Sequence, residues 1–396
     1  MCHFYNDKNI IYISLFLIKI CLSNNDIYRI PFGLINKNGS NTSLNIIHNI
    51  FYKEIYVNLS IGTPPQIIPF SLNINSQTFS VPNNIFHKNK SSSYESISKS
   101  EIPYENEDVI YGFISKDVLN INNKTKNKKI DFILGTKYRS KDNILGTIGL
   151  LIPKKEQDYV FPFLNTLHLA GYINSYTWTL KYFNNISLFD FIFYNQEKNN
   201  LIGEFIIGDE PHNYESNKQK YNKTEYLKVS PLSSDDSLYW DIEFKSIFLL
   251  FHENEINKKN ISKININGNK RVEIIPNNLI IIATEEFYNQ IKKFFFQNYF
   301  ELNICREKLI NNYFYRYIEC NNTSLFEINS FPNICFEHKG FETIFNLTYK
   351  DLFILDKINN KYIFLIFNRR FFSGWVFGSI FLKKYQLIFN LSTFNK

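Results

Sequence analysis

Short apolar or alternating runs, separated by Asn, Ser, Gly and Pro, make up most of the chain: YVNLSIG, IIPFSLNI, EFIIGD, YWDIEFKSIFLL and KYIFLIFN. A period of two over four to eight residues is the pattern of strands with one buried face, so the spacing predicts an all-β protein. Helical period is local, in FPFLNTLHLAG (161–171) and TEEFYNQIKKFFFQNYF (284–300). The second opens on Thr284 followed by two glutamates, a helix start signal. There is no short repeat and no heptad, only a weak duplication at the scale of half the chain.

Length and composition bound this picture. A chain of 396 residues exceeds the roughly 250 to 300 at which a single core stops growing, so two sizeable domains are expected. Apolar residues at 44% and aromatics at 17% are ample for packed interiors. The net charge of +7 is scattered in Asn- and Lys-rich patches such as 124–129. No basic helix and no groove with interleaved aromatics accompanies it, which argues against a nucleic-acid partner. The nine-residue apolar run IIYISLFLI (10–18) falls short of the ~20 residues of a membrane span and fits a secretory signal, taken as residues 1–23. No later stretch reaches spanning length, so no stable membrane span is expected once the signal is removed.

The search for chemistry yields little. His87, His168, His212, His252 and His338 lack metal-ligand spacing, and neither a Gly-x-Ser-x-Gly motif nor a Gly-rich phosphate loop occurs. No metal and no cofactor is expected. Cys335, within FPNICFEH, reads as a buried thiol, since no motif places a histidine beside it. Asn-x-Ser/Thr sites such as Asn185 and Asn346 are expected by chance in so Asn-rich a chain.

Six segments nevertheless occur in a telling order. YVNLSIGTPPQIIPFSLNINSQTFSVP (56–82) resembles the first active-site segment of the pepsin-like aspartic proteases, family A1. KSSSYESI resembles the stretch before the flap, GEFIIGDEPHNY the later Phe-Gly-Gly turn, and YLKVSPLSSDDSLYWDIEFKSI the start of the C-terminal lobe. VEIIPNNLIIIATEEFY (272–288) is similar to the second active-site segment, and GWVFGSIFLKKYQLIFN to the last core segment. The resemblance implies an all-β, bilobal pepsin-like fold: two related β-barrel-like lobes with a central cleft and few short helices. It implies a short prosegment remnant over 24–50, an N-terminal lobe over 51–225 and a C-terminal lobe over 226–396. It also implies a disulfide between Cys305 and Cys320, a peptide or protein ligand in the cleft, a monomer, and a secreted, vacuolar or vesicular location. Heavy use of Asn, Ile, Lys, Tyr and Phe looks like the codon bias of an AT-rich genome such as a malaria parasite's, so the resemblance is to a plasmepsin-like homologue.

Within this frame both catalytic loops depart from the family. Asp-Thr-Gly-Ser is replaced by Asn73-Ile74-Asn75-Ser76, and the second Asp-Thr-Gly-Thr-Ser by Ile275-Pro276-Asn277-Asn278-Leu279. Asn73 and Ile275 thus occupy the two catalytic Asp positions, with Ser76, Asn277 and the flap residue Tyr104 as the remaining cleft and flap candidates. In each half an apolar-apolar-Gly strand is expected beside the loop, Ile144-Leu145-Gly146 and Val376-Phe377-Gly378. Asn75 and Asn277 replace the loop glycines, and Asn is the next most tolerant residue of positive φ. Ser379 replaces the family's Asp in the last motif, while Asp117, Asp142 and Asp241 fall in scaffold motifs and read as surface or structural. The expectation is a pseudoprotease that keeps a peptide-binding cleft. Two alternatives stay open: an active aspartic endopeptidase with a misaligned dyad or faulty gene model, and a structural or inhibitor-like module with a closed cleft.

Overall fold

A computed structural model describes residues 27–36, 46–103, 109–121, 124–138, 145–153, 162–183, 187, 190, 192, 201–209, 233–234, 237–238, 241–251, 262–266, 268–310, 314–338 and 344–390. The expected signal segment, with Cys2 and Cys21, lies outside them. As the alternation predicts, strands dominate and the helices are short. Eleven strands of the first half and one of the second build a 12-stranded sheet, Ile152–Pro153 joins Ser233–Ser234 and Ser237–Leu238 in a three-stranded one, and other strands of the second half build sheets of nine and four. The all-β, two-lobed expectation holds.

The N-terminal sheet is organised around β1 (Tyr28–Asn36), β2 (Lys53–Ile61) and β3 (Gln66–Asn73). β1 pairs with β2 on one edge and with Gly203–Ile207 on the other, and Tyr28, Ile30, Phe32 and Leu34 are all buried. YRIPFGL, expected as part of a prosegment remnant, therefore stands inside the sheet. A short helix, α1 (Ile46–Tyr52), leads into β2. The sheet ends on a strand from the other end of the chain, Ile388–Asn390, which pairs with Thr177–Tyr182 and stacks Phe389 on Trp178 at 4.1 Å between ring centroids.

In the second half, Thr284 caps its helix as the sequence signals, its hydroxyl accepting the Phe287 N–H at 3.3 Å. The helix continues past Ile291 through a π-helical stretch, Lys292–Phe296, into Gln297–Glu301. Phe296 is thereby buried among Phe331, Phe353 and Phe364. Cys305 and Cys320 face each other across a hairpin ladder and form the expected disulfide. A bridge closing 15 residues contributes about 3 kcal/mol in the chain-entropy account. Cys335 is buried and outside the disulfide.

The half-chain duplication appears as one construction made twice. β3 runs parallel to Gly146–Gly149, placing Asn73 opposite Gly149. Arg271–Ile274 runs parallel to Trp375–Phe377, pairing Ile274 with Phe377, so the next step sets Ile275 opposite Gly378. A Cβ on Gly149 would collide with backbone atoms of Ser76 and Thr78, and one on Gly378 with the carbonyls of Asn278 and Ile280. Asn73 precedes Ser76 by three residues, as Ile275 precedes Asn278, so the two loops correspond residue for residue. The partner of Gly378 is thus Gly149 and not Gly146, which instead abuts the Phe70 ring. The run LGTIGL offers two glycines three apart, and only the pairing register selects between them.

Two measurements follow. Gly378→Ala should lose more than about 3 kcal/mol in denaturant unfolding, because backbone and not a movable side chain meets the added methyl. Lys53 is buried, donates to the Ile192 carbonyl at 2.9 Å, and is pushed by burial from 10.5 down to about 8. Between those values the unfolded chain holds a proton that the folded chain has released, so this site's contribution to stability rises with pH. The melting temperature of the wild type relative to Lys53→Met should accordingly climb from neutral pH to about pH 10.5.

Candidate functional site

The loops after β3 and after Arg271–Ile274 follow buried strands and turn on their own side chains. In the first, the Asn73 side-chain oxygen accepts the Asn75 N–H at 2.9 Å, an Asx turn. Ser76 is buried; its hydroxyl accepts the Thr78 N–H at 3.2 Å and its carbonyl accepts the Leu151 N–H at 3.0 Å. In the second, the Ile275 N–H donates to the Phe377 carbonyl, and the Ile275 carbonyl accepts the Asn278 N–H, both at 3.0 Å. Asn278 repeats the Asx device, its side-chain oxygen accepting from the Ile280 N–H at 3.3 Å.

Neither Asn75 nor Asn277 has positive φ; among the described residues the non-glycine positions that do are Asn303, Asn360 and Phe371. The expectation that asparagine preserves a left-handed glycine conformation is therefore corrected. At position 277 it does different work. The Asn277 side-chain amide crosses between the lobes, donating to the Ser71 hydroxyl at 3.1 Å and to the Leu72 carbonyl. Ser71 in turn donates to Glu54 at 3.1 Å. The second loop is thereby tied to the end of β3, immediately before Asn73. The Asn277 side-chain oxygen is buried without a partner among the described residues.

Beneath the loops a second link crosses the halves. The Tyr182 hydroxyl donates to Ser379 at 2.9 Å, and Ser379 donates to the Pro276 carbonyl at 2.5 Å. Burial pushes the Tyr182 phenol far above its ordinary range, so it stays a donor. Phe51 of α1 meets two C-terminal-half rings, Tyr315 at 5.0 Å and Phe367 at 5.7 Å between centroids.

Two related halves, each with a glycine strand threading behind its loop, now have a counterpart among known proteins. The family model described as eukaryotic aspartyl protease matches residues 54–395. The chain belongs to that family. No curated protein matches the chain.

Eukaryotic aspartyl proteases work through two carboxylates about 3 Å apart that share a proton, one drawing a proton from water and the other polarising the scissile carbonyl. The side chains at the paired positions of the two loops are here an amide and a hydrocarbon. Two of the other carboxylates singled out by sequence, Asp117 and Asp241, are tied up elsewhere. Asp117 is buried and accepts from the Ser91 hydroxyl at 2.8 Å, the Ser93 hydroxyl at 2.5 Å and the Val118 N–H at 2.8 Å. Asp241 is buried against Arg271 at 2.7 Å; burial raises its pKa and the guanidinium opposes the rise. Tyr104, Ile144, Asp142, His212 and His252 lie outside the described residues. No group of His, Cys, Asp or Glu among the described residues could hold a metal ion.

Sequence reasoning missed Ser71, Glu54, Tyr182 and Phe51. Ser71 did leave a signal, a polar residue at a buried position of the otherwise largely apolar strand QIIPFSLN. The partnership of Tyr182 with Ser379 spans 197 residues and left none. Asn277→Ala removes both donated bonds and should cost about 1–2 kcal/mol in urea unfolding, with Ser71→Ala costing less because the bond to Leu72 survives.

Proposed function

We propose that this protein is a proteolytically inactive eukaryotic aspartyl protease homologue whose cleft holds an extended peptide by strand addition. The observation that carries the reading is the chemistry at the two corresponding loop positions, Asn73 and Ile275. An asparagine amide cannot serve as general base at any accessible pH, and isoleucine offers an attacking water no hydrogen bond. Loss of one catalytic group in another protease class costs about 10⁶ in kcat. The intact scaffold around the loops supports retention of the cleft. The apolar run 10–18 and the Cys305–Cys320 disulfide support passage through an oxidising secretory compartment. Residues 28–52 remain part of the folded protein on this reading, since β1 is paired on both edges.

A second reading, a cleft filled by its own chain, is favoured by Phe51 lying against Tyr315 and Phe367. Binding of a peptide library to the wild type and to Phe51→Ala separates the two. Appreciable binding by the wild type supports an open cleft, and binding that appears only in the variant supports a filled one.

Incubating the purified protein with the same library at acid pH, with and without pepstatin, should yield no pepstatin-sensitive cleavage. Such cleavage would overturn the proposal in favour of an active endopeptidase. In the double variant Asn73→Asp, Ile275→Asp, the appearance of cleavage is the expected outcome if the surrounding cleft is still competent.

A further inference from the structure

The turn between the strands Ile366–Arg369 and Trp375–Phe377 presents an unusual residue. Phe371 is 97% exposed, more than any other large hydrophobic among the described residues, and its φ is +62°. A bulky side chain at positive φ is a strained outlier, and strain of this kind concentrates where a protein binds. A phenyl ring in water adds a further cost, and neither cost serves the fold, because no described side chain packs on the ring.

The surroundings give the tip its character. The Arg370 N–H donates to the Phe314 carbonyl at 2.9 Å, setting the turn at Phe314 beside it, and Phe314 is itself 54% exposed. Arg370 is exposed and has no acid partner among the described residues. Arg369 is also exposed, lies over the Phe372 ring at 5.9 Å from its centroid, and feels the charge of Glu273. Glu285 is bound to Arg316, whose strand pairs with that of Arg369, at 2.6 Å. The tip is therefore two exposed phenyl rings beside two exposed arginines.

We infer that the Phe314–Phe371 tip docks on an anionic lipid surface. A ring exposed on nearly every side matches a soft interface that closes around it, whereas a rigid partner would have to supply a pocket. Phenyl rings bury about 5–10 Å into the boundary between headgroups and acyl chains, and cationic side chains pair with anionic headgroups just above. Insertion is shallow, in keeping with the absence among the described residues of any helix long and apolar enough to cross a membrane.

The test is co-sedimentation of the full chain with vesicles of phosphatidylcholine alone or mixed with phosphatidylserine. Binding should be confined largely to the anionic vesicles and should weaken with salt. Phe371→Gly should lower the partition coefficient about tenfold while the melting temperature holds or rises, because glycine accepts the positive φ. Arg370→Glu should lower it severalfold without unfolding the chain. Equal binding to neutral and anionic vesicles, no vesicle binding, or partitioning unchanged in Phe371→Gly would overturn the inference. A docking site for an acidic protein would give the second of these results.

Discussion

The closest constraint in this molecule is steric. At Gly149 and again at Gly378 a strand passes so near the backbone of the neighbouring loop that a single methyl group has no room. Carbonyls of Ser76 and Thr78 in one half, and of Asn278 and Ile280 in the other, define the two crossings. Everything functional hangs on them, because the crossings fix the loops whether or not the loops carry any particular side chain. An amide and a hydrocarbon, Asn73 and Ile275, stand at corresponding positions on a backbone that is threaded in both halves.

The same separation explains what was legible in advance. Fold class was visible because period-two patterning is a property of each strand on its own, and YVNLSIG and IIPFSLNI became β2 and β3 as read. The Thr284 cap was visible because its donor sits three residues away. The glycine of the first crossing was misplaced by three residues, since LGTIGL offers two and a strand register is a relation between distant segments. The pairing of β1 on both edges was not legible, because its position in the chain says nothing about its hydrogen-bonded neighbours. The cross-lobe bonds of Asn277 and Tyr182 were invisible for the same reason: residue type tells what a side chain can donate, and only the fold tells to whom.

Asn277 shows how such a loop can be rewired. Ile74 and Pro276, one in each loop, cannot hydrogen-bond through their side chains. A bridge across the halves exists nonetheless, made one residue later by an amide that reaches Ser71 and Leu72. Ser379 contributes below it, linking Tyr182 to the Pro276 carbonyl with a group too short and too weakly acidic to stand in for a carboxylate. Rigidity between the halves is supplied here by amide, hydroxyl and carbonyl contacts.

The pairing of Ile388–Asn390 with Thr177–Tyr182 has a consequence for how the molecule comes into being. The outermost strand of the first lobe's sheet follows all the strands of the second lobe in sequence, so that sheet cannot be finished until the second lobe has been made. Contacts of such long sequence separation are slow to form, and an unfinished sheet edge is a site of wrong association. The first lobe must wait with an open edge for the second to be made, and the two halves, although built alike, cannot mature independently.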